Sequence, residues 1–228
     1  MRRGALAAAV IAAPLLWAAP GPADAARPGV LATGDSMIQY VDVHLKRRLR
    51  RQARVPSDAK VSTGISKSSL LNWPRYARNQ SARFRPRVVV MFLGANDGFP
   101  MRGRRCCAKH WSRKYARRVG KTMDAYLRGG ARHVYWLQLP QAREGFFRRA
   151  YPAVNRGIRL ATRRRRKAVD AVPLNEFFAP RGRYRDVMRY RGRNVRVRQS
   201  DGIHLSSAGA AIAARLVARR IRRDRVLR

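Results

Sequence analysis

The sequence predicts an α/β fold, a three-layer α/β/α sandwich around a five-stranded parallel sheet, and three observations predict it. From Ala26 onward, short apolar runs alternate with longer amphipathic ones. The strongest apolar run, Val88-Val89-Val90-Met91-Phe92, shows no polar alternation, which is the pattern of a strand buried on both faces in the middle of a parallel sheet. Each apolar run is separated from the next by a helix-length segment, so successive strands pair in parallel through right-handed crossovers.

Val30 to Thr33 reads as the first strand, and Met37 to Arg51 as a helix with Ile38, Val41, Leu45 and Leu49 on one face. Ala59 to Ser62 is a weak second strand ending at Thr63-Gly64, followed by a helix over 70–83 that Pro74 starts or interrupts. Arg87 to Leu93 is the third strand, followed by Gly94-Ala95-Asn96-Asp97-Gly98 and a polar loop carrying Cys106 and Cys107. A helix over 112–128 closes on Gly129-Gly130, residues suited to the positive φ of a helix C-terminus. His133 to Leu139 is the fourth strand, and a helix over 146–167 contains Pro152, which marks a kink or a later start. Val169 to Val172 is the fifth strand. An irregular arginine-rich segment, Leu174 to Gln199, leads to Asp201-Gly202-Ile203-His204 and a final helix from Ser206, with Ala210, Ile212, Ala213 and Leu216 as its buried stripe.

Residues 1–25 have the three parts of a secretory signal peptide: Met1-Arg2-Arg3, an apolar run from Ala5 to Ala19, and Ala23-Asp24-Ala25 before Ala26. This leaves one domain over 26–228 and a destination in the periplasm, the cell envelope or outside the cell. An uncleaved anchor is the alternative, but the run is shorter than the ~20 residues of a spanning helix, and no other stretch is apolar enough. The chain carries 52 Lys+Arg against 12 Asp+Glu, a formal charge of +40. Seven of the cations are lysines, so 52 − 7 leaves 45 arginines. Such a field concentrates anionic partners, an anionic cell-envelope polymer among them; GC-rich codons would also fill exposed helix faces with arginine. The basic residues occur in nearly every segment, whereas a dedicated nucleic-acid patch would be localised, so nucleic acid is not expected as a specific ligand. Adjacent Cys106 and Cys107 exclude an ordinary disulfide framework; a ring between neighbours, a bond to another chain and two free thiols stay open. With His110 alone nearby, they lack metal-ligand spacing, and no metal is expected.

Three polar turns follow three strands, and ligands of such sheets lie outside the carboxyl ends of the strands. Ser36, in Gly34-Asp35-Ser36, sits where a nucleophile would sit, and a serine hydroxyl needs a general base to become one. His204 supplies that base, and Asp201, three residues earlier, would hold its tautomer. The Ser36 backbone N–H, the N–H of Gly64 and the side-chain amide of Asn96 would form an oxyanion hole, in which a single donor is worth ~3 kcal/mol. Each part alone has a bland reading as a turn or a cap; the four in this order point to acyl transfer. His44, among basic residues in a helix, and His133, opening a strand, are not placed to meet Ser36. Trp111, Tyr135, Trp136, Phe146 and Phe147 would line a sugar or acyl pocket or pack the core, with core packing favoured for Trp136 and the phenylalanines.

Gly34-Asp35-Ser36, Gly64, Gly94-Ala95-Asn96-Asp97 and Asp201-Gly202-Ile203-His204 resemble blocks I, II, III and V of the SGNH, or GDSL-type, hydrolases, from Val30 to Val217. Thr63-Gly64 followed by Asn72-Trp73-Pro74, and Tyr135 to Pro140, resemble an exported bacterial branch of that superfamily. The resemblance implies a flavodoxin-like sandwich, no metal or organic cofactor, and ester hydrolysis through an acyl-enzyme. It assigns Ser36 as nucleophile, Ser36, Gly64 and Asn96 as oxyanion donors, and Asp201 with His204 as the remaining catalytic pair. Met37, where many members have leucine, departs from the pattern, as do the arginine-rich loops; Arg102, Arg104 and Arg105 are candidates to contact an anionic substrate. The expected activity is that of an exported serine esterase, and the expected substrate a carbohydrate-linked ester, an O-acetyl group on a cell-envelope or extracellular glycan. Transfer of the acyl group to a sugar, and polyanion binding on a degenerate scaffold, are the rival readings. The sequence leaves the oligomeric state open.

Overall fold

The computed structural model describes residues 27–101, 103 and 105–228. The expected leader over 1–25, and Arg102 and Arg104, lie outside the described residues. The elements run in the order β1 (Val30–Gly34), a 3-10 turn (Ser36–Ile38), α1 (Val41–Leu49), β2 (Ser57–Ala59), α2 (Trp73–Phe84), β3 (Val88–Phe92), α3 (Lys109–Arg128) and β4 (His133–Leu137). They continue as α4 (Gly145–Arg163), β5 (Val169–Val172), α5 (Leu174–Phe178), a second 3-10 turn (Pro180–Gly182), β6 (Val187–Tyr190), β7 (Arg193–Arg196) and α6 (Ser207–Arg223).

Five strands form the parallel sheet in the order β2-β1-β3-β4-β5. Strands β1, β3 and β4 are buried at every position, because helices cover both faces. Helix α1 packs on α6, while α2 packs on α3 and α3 on α4. The five-stranded α/β/α sandwich is therefore the architecture the sequence predicts. The strand order changes direction beside β1, since β2 lies on one side of it and β3 on the other. Parallel sheets open a crevice at the carboxyl ends next to such a switch point, and the Ser36 turn begins there.

The structure departs from the sequence reading in four places. The helix expected over 37–51 is broken: Ser36–Ile38 form a 3-10 turn, Tyr40 takes φ 64°, and α1 starts at Val41. The second strand is Ser57–Ala59 and not Ala59 to Ser62; it is an edge strand fixed by its pairing with β1, with Ala59 opposite Gly34. Helix α2 begins at Trp73, where the Asn72 side chain accepts from the Arg75 N–H and Pro74 falls in the first turn, a position that needs no N–H. The segment over 174–199 is largely ordered, with α5 and a β6–β7 hairpin. Pro152 is accommodated inside α4.

Candidate active site

The loop after β1 starts with a close approach of two backbones. Gly34 has φ +148°, and a Cβ there would lie 2.0 Å from the Phe92 carbonyl oxygen, so only glycine lets β1 and β3 converge at this point. Asp35 follows, fully buried, and caps the 3-10 turn. Its Oδ1 accepts from the Met37 N–H at 3.0 Å, and its Oδ2 accepts from the N–H groups of Gly94 and Ala95, both at 2.9 Å. One carboxyl thus ties the serine turn to the loop carrying Asn96. Burial, with the nearby Asp97 charge adding to it, pushes the Asp35 carboxyl up to about 6, against the pull of the three N–H donors.

Ser36 is half-buried at the rim of this crevice. Its Oγ lies 2.7 Å from His204 Nε2, and His204 Nδ1 lies 2.5 Å from Asp201 Oδ2. The other Asp201 oxygen accepts from the backbone N–H groups of Ile203 (2.8 Å) and His204 (3.0 Å), which orients the carboxylate and the imidazole together. Burial pushes the Asp201 carboxyl up, but the His204 ring and these two N–H groups outweigh it and hold the group below the ordinary aspartate value. This geometry presents a hydroxyl to the free nitrogen of an imidazole whose tautomer is fixed, the arrangement that makes a serine oxygen nucleophilic.

The second and third loops are braced by Asp97, also fully buried. Its oxygens accept from the N–H groups of Ile65 (3.0 Å) and Ser66 (2.6 Å), the Ser66 hydroxyl (2.7 Å) and the Tyr115 hydroxyl (2.5 Å). Burial raises its carboxyl above the ordinary value despite these donors. Gly64 packs directly on Asp97, and a Cβ at Gly64 would sit 2.5 Å from Asp97 Oδ1. The Asn96 amide donates to the Thr63 carbonyl at 3.1 Å, which joins the Gly64 and Asn96 loops side by side. One Nδ2–H is used there, and the amide carries a second.

The loop holding Asp201 and His204 has its own brace. Arg198 is completely buried. Its guanidinium donates to the carbonyls of Ile203 (2.6 Å) and Gln141 (2.5 Å) and lies 5.2 Å from the centre of the Tyr184 ring. It thereby fastens the histidine loop to the segment after β4. An antiparallel bridge between Arg198 and Leu205, and a bond from the Gln199 N–H to the His204 carbonyl at 3.0 Å, close the loop on itself. Arg143 supports it from outside, its N–H donating to the Gly202 carbonyl at 3.0 Å.

The structure thus brings Ser36, His204 and Asp201 into one hydrogen-bonded chain, with Gly64 and Asn96 on adjoining loops. Arg105 is exposed in the loop between β3 and α3. His44 lies apart, 3.3 Å from the Ser207 hydroxyl, and His133 pairs with Asp170 at 3.1 Å. Trp111, Tyr135 and Trp136 are fully buried and belong to the core cluster. Phe146 is exposed and Phe147 partly so. Cys106 and Cys107 are bonded to each other. The sequence reading missed the bracing residues Tyr115, Ser66 and Arg198. Only Asp97 carried a signal, as one of the few acids, placed directly after Asn96.

The chain matches over residues 29–220, and therefore belongs to, the family described as "Protein of unknown function (DUF459)". No curated protein matches the sequence. Among solved structures, a Slackia heliotrinireducens protein assigned to the SGNH hydrolases on resemblance is 17% identical with a TM-score of 0.56, over 85% of this chain and 98% of that one. The C-terminal catalytic domain of Streptococcus pneumoniae peptidoglycan O-acetyltransferase A is 15% identical with a TM-score of 0.53, over 86% and 93%. A carbohydrate esterase family 2 enzyme from Corynascus thermopiles (Myceliophthora fergusii) is 17% identical with a TM-score of 0.55, over 90% and 67%. These likenesses establish the SGNH-hydrolase fold.

Proposed function

We propose that this DUF459 chain is an exported serine esterase that removes acyl groups, acetyl foremost, from the hydroxyls of a glycan. The observation that carries the reading is the continuous chain Ser36 Oγ, His204 Nε2, His204 Nδ1, Asp201 Oδ2, with separations of 2.7 and 2.5 Å. Ser36 attacks the ester carbonyl carbon while His204 Nε2 takes the hydroxyl proton. The negative oxygen of the tetrahedral intermediate is met by the N–H of Ser36, the N–H of Gly64 and the free amide hydrogen of Asn96. His204 then returns its proton to the sugar oxygen as the bond to it breaks, leaving an acyl-serine. A water molecule gives its proton to His204, attacks the acyl carbon, and the carboxylic acid leaves as Ser36 recovers its hydrogen. Asp201 remains ionised throughout and steadies the imidazolium.

The acetyl preference draws support from one structural neighbour, a peptidoglycan O-acetyltransferase domain, and the glycan substrate from that domain and from a carbohydrate esterase. The first of these also supports a second reading, in which a sugar hydroxyl replaces water in the last step. Arg105, exposed in its loop, with Arg102 and Arg104 beside it in the sequence, would meet an anionic substituent of the substrate, and the signal-like pattern of residues 1–25 supports export to the envelope or out of the cell.

The test is hydrolysis of p-nitrophenyl acetate and of acetylated glycans by the protein, Ser36→Ala and His204→Ala. Loss of at least about 10³-fold in both variants is expected. Acetate release that falls when a glycan acceptor is added, with acetylated acceptor appearing, would favour transfer. Wild-type rates equal to those of Ser36→Ala on every ester would sink the esterase reading and leave polyanion binding in its place.

A further inference from the structure

Outside the candidate site, the flank of the α3–α4 pair carries a groove of about 410 Å³. Its floor is aliphatic, formed by Ala116, Leu160 and Ala161. Its walls are cationic: Arg113, Arg117 and Lys121 from α3, and Arg164 and Arg165 from the turn just after α4. None of the described residues lining it is acidic. Asp124, beside it, is taken by Arg165, whose Nε and Nη2 both lie 2.6 Å from its oxygens. Arg165 is further fixed by a bond to the Ala161 carbonyl at 3.0 Å and by Gly120, where a Cβ would come within 2.8 Å of its guanidinium.

Arg113, Arg117 and Lys121 follow one another at i, i+4, i+8, so they stack along one helix face about 6 Å apart. Like charges at that spacing disfavour the helix that carries them, and Arg164 across the groove adds to the repulsion. An anionic chain lying in the groove would relieve both. With Arg165 taken by Asp124, three of the other four cations are arginines, whose planar forks match carboxylates, as they do phosphates, in a bidentate fashion. No aromatic side chain lines the groove, so it lacks the platform on which the bases of a single-stranded nucleic acid stack. The aliphatic floor instead suits the C–H faces of sugar rings.

We infer that the α3–α4 groove binds a linear glycan carrying carboxylate groups. It would hold such a polymer while the carboxyl end of the sheet acts on its esters; the second half of this statement rests on the proposed esterase activity, and the binding does not.

The experiment compares three proteins: wild type, the groove variant R113Q/R117Q/K121Q, and the control K46Q/R47Q/R51Q, which removes the same charge from and just beyond α1. Binding of fluorescently labelled polygalacturonate oligomers is measured by anisotropy over a range of NaCl concentrations, beside single-stranded DNA of equal charge. The groove variant is expected to bind the glycan about tenfold more weakly, a factor of about two for each exposed ion pair. Its salt dependence should flatten by about two logarithmic units per decade, three fewer neutralised charges at ~0.7 each. The control should change less than about twofold, and hydrolysis of a small neutral ester should be unaffected in both. Equal loss in the two variants would assign binding to the general field of the protein and overturn the groove. Absence of glycan binding by wild type at about 0.15 M salt, or a larger effect of the groove variant on DNA than on the glycan, would overturn it as well. Because the readout is binding, an inactive wild-type protein would reject the esterase reading alone.

Discussion

Replacing Gly64 by alanine tests whether the buried bracing of the loops governs the chemistry. The added Cβ would lie 2.5 Å from Asp97 Oδ1, 3.0 Å from its Cγ and 3.3 Å from the Asn96 carbonyl oxygen. A separation of 2.5 Å cannot be kept, so one side must give. Asp97 cannot swing away cheaply, because four donors, Ile65 N–H, Ser66 N–H, Ser66 Oγ and Tyr115 Oη, hold it, and leaving even one buried donor unpaired costs ~1–3 kcal/mol. The Gly64 backbone is therefore the part that recoils, and its N–H leaves the oxyanion position. Loss of one such donor lowers kcat by about 10²–10³-fold, with KM nearly unchanged because the donor acts on the tetrahedral intermediate. The assay is steady-state hydrolysis of p-nitrophenyl acetate, with thermal unfolding as the check that the variant is folded. A folded Gly64→Ala protein with kcat within about threefold of wild type would refute the reasoning, since the N–H would then be either unmoved or unused.

Three further outcomes follow from the same geometry. Arg198→Met leaves the Ile203 and Gln141 carbonyls without their donor; kcat should fall about 10–100-fold through loss of loop position, Arg198→Lys should lie between, and a folded Arg198→Met enzyme at full kcat would exclude the positioning role. Tyr115→Phe removes the 2.5 Å bond to Asp97 and should cost ~1–3 kcal/mol in urea unfolding, whereas an unchanged midpoint would show that Asp97 is held without it. Asp35, raised from 3.8 to about 6 in the folded protein, binds its proton more tightly folded than unfolded, so its contribution is present below pH 4 and is lost as pH rises through 6, by about 3 kcal/mol. Asp201, Asp170 and Asp124, held below their ordinary value, act in the opposite sense and lose stabilisation as pH falls below 4. Unfolding free energies measured across pH 4 to 7 should therefore slope downward in wild type and less so in Asp35→Asn; identical slopes would contradict the buried, raised carboxyl.

How much of this was legible in the sequence depended on whether the signal was local. The Val88–Phe92 run announced β3 because a strand buried on both faces must be apolar throughout. Ser57-Asp58-Ala59 announced nothing, since an exposed edge strand needs only the backbone partners that β1 offers. The β6–β7 hairpin was masked by arginine, although Arg191-Gly192, with φ of 51° and 79°, is the kind of two-residue turn that joins such strands. The hydrogen-bonded chain of Ser36, His204 and Asp201 could be anticipated because only a few residue types can link a hydroxyl, an imidazole and a carboxylate. The Asp97 brace could not: its partners Ile65, Ser66 and Tyr115 lie 32, 31 and 18 positions away, and only the fold brings them together. Arg198 was hidden by composition, one of 45 arginines with no local mark of burial.

That concealment points to a division of labour between the charges of this protein. Its net charge of +40 suggests a site dominated by positive potential, yet exposed arginines act through water and are screened beyond about 8 Å at physiological ionic strength. The groups that shape the candidate site are different ones. Asp35, Asp97 and Arg198 are fully buried, in surroundings of low effective dielectric where each charge or hydrogen bond acts far more strongly. Two of the twelve acids are spent on joining the three loops, and one arginine fixes the loop that carries Asp201 and His204. Removing surface arginine should therefore change which polymers the protein meets and how salt modulates the encounter, while the geometry around Ser36 stays as the interior charges set it. An arginine-rich surface can vary widely under this arrangement without disturbing the chemistry, because the residues that define the site draw their energetics from burial and not from net charge.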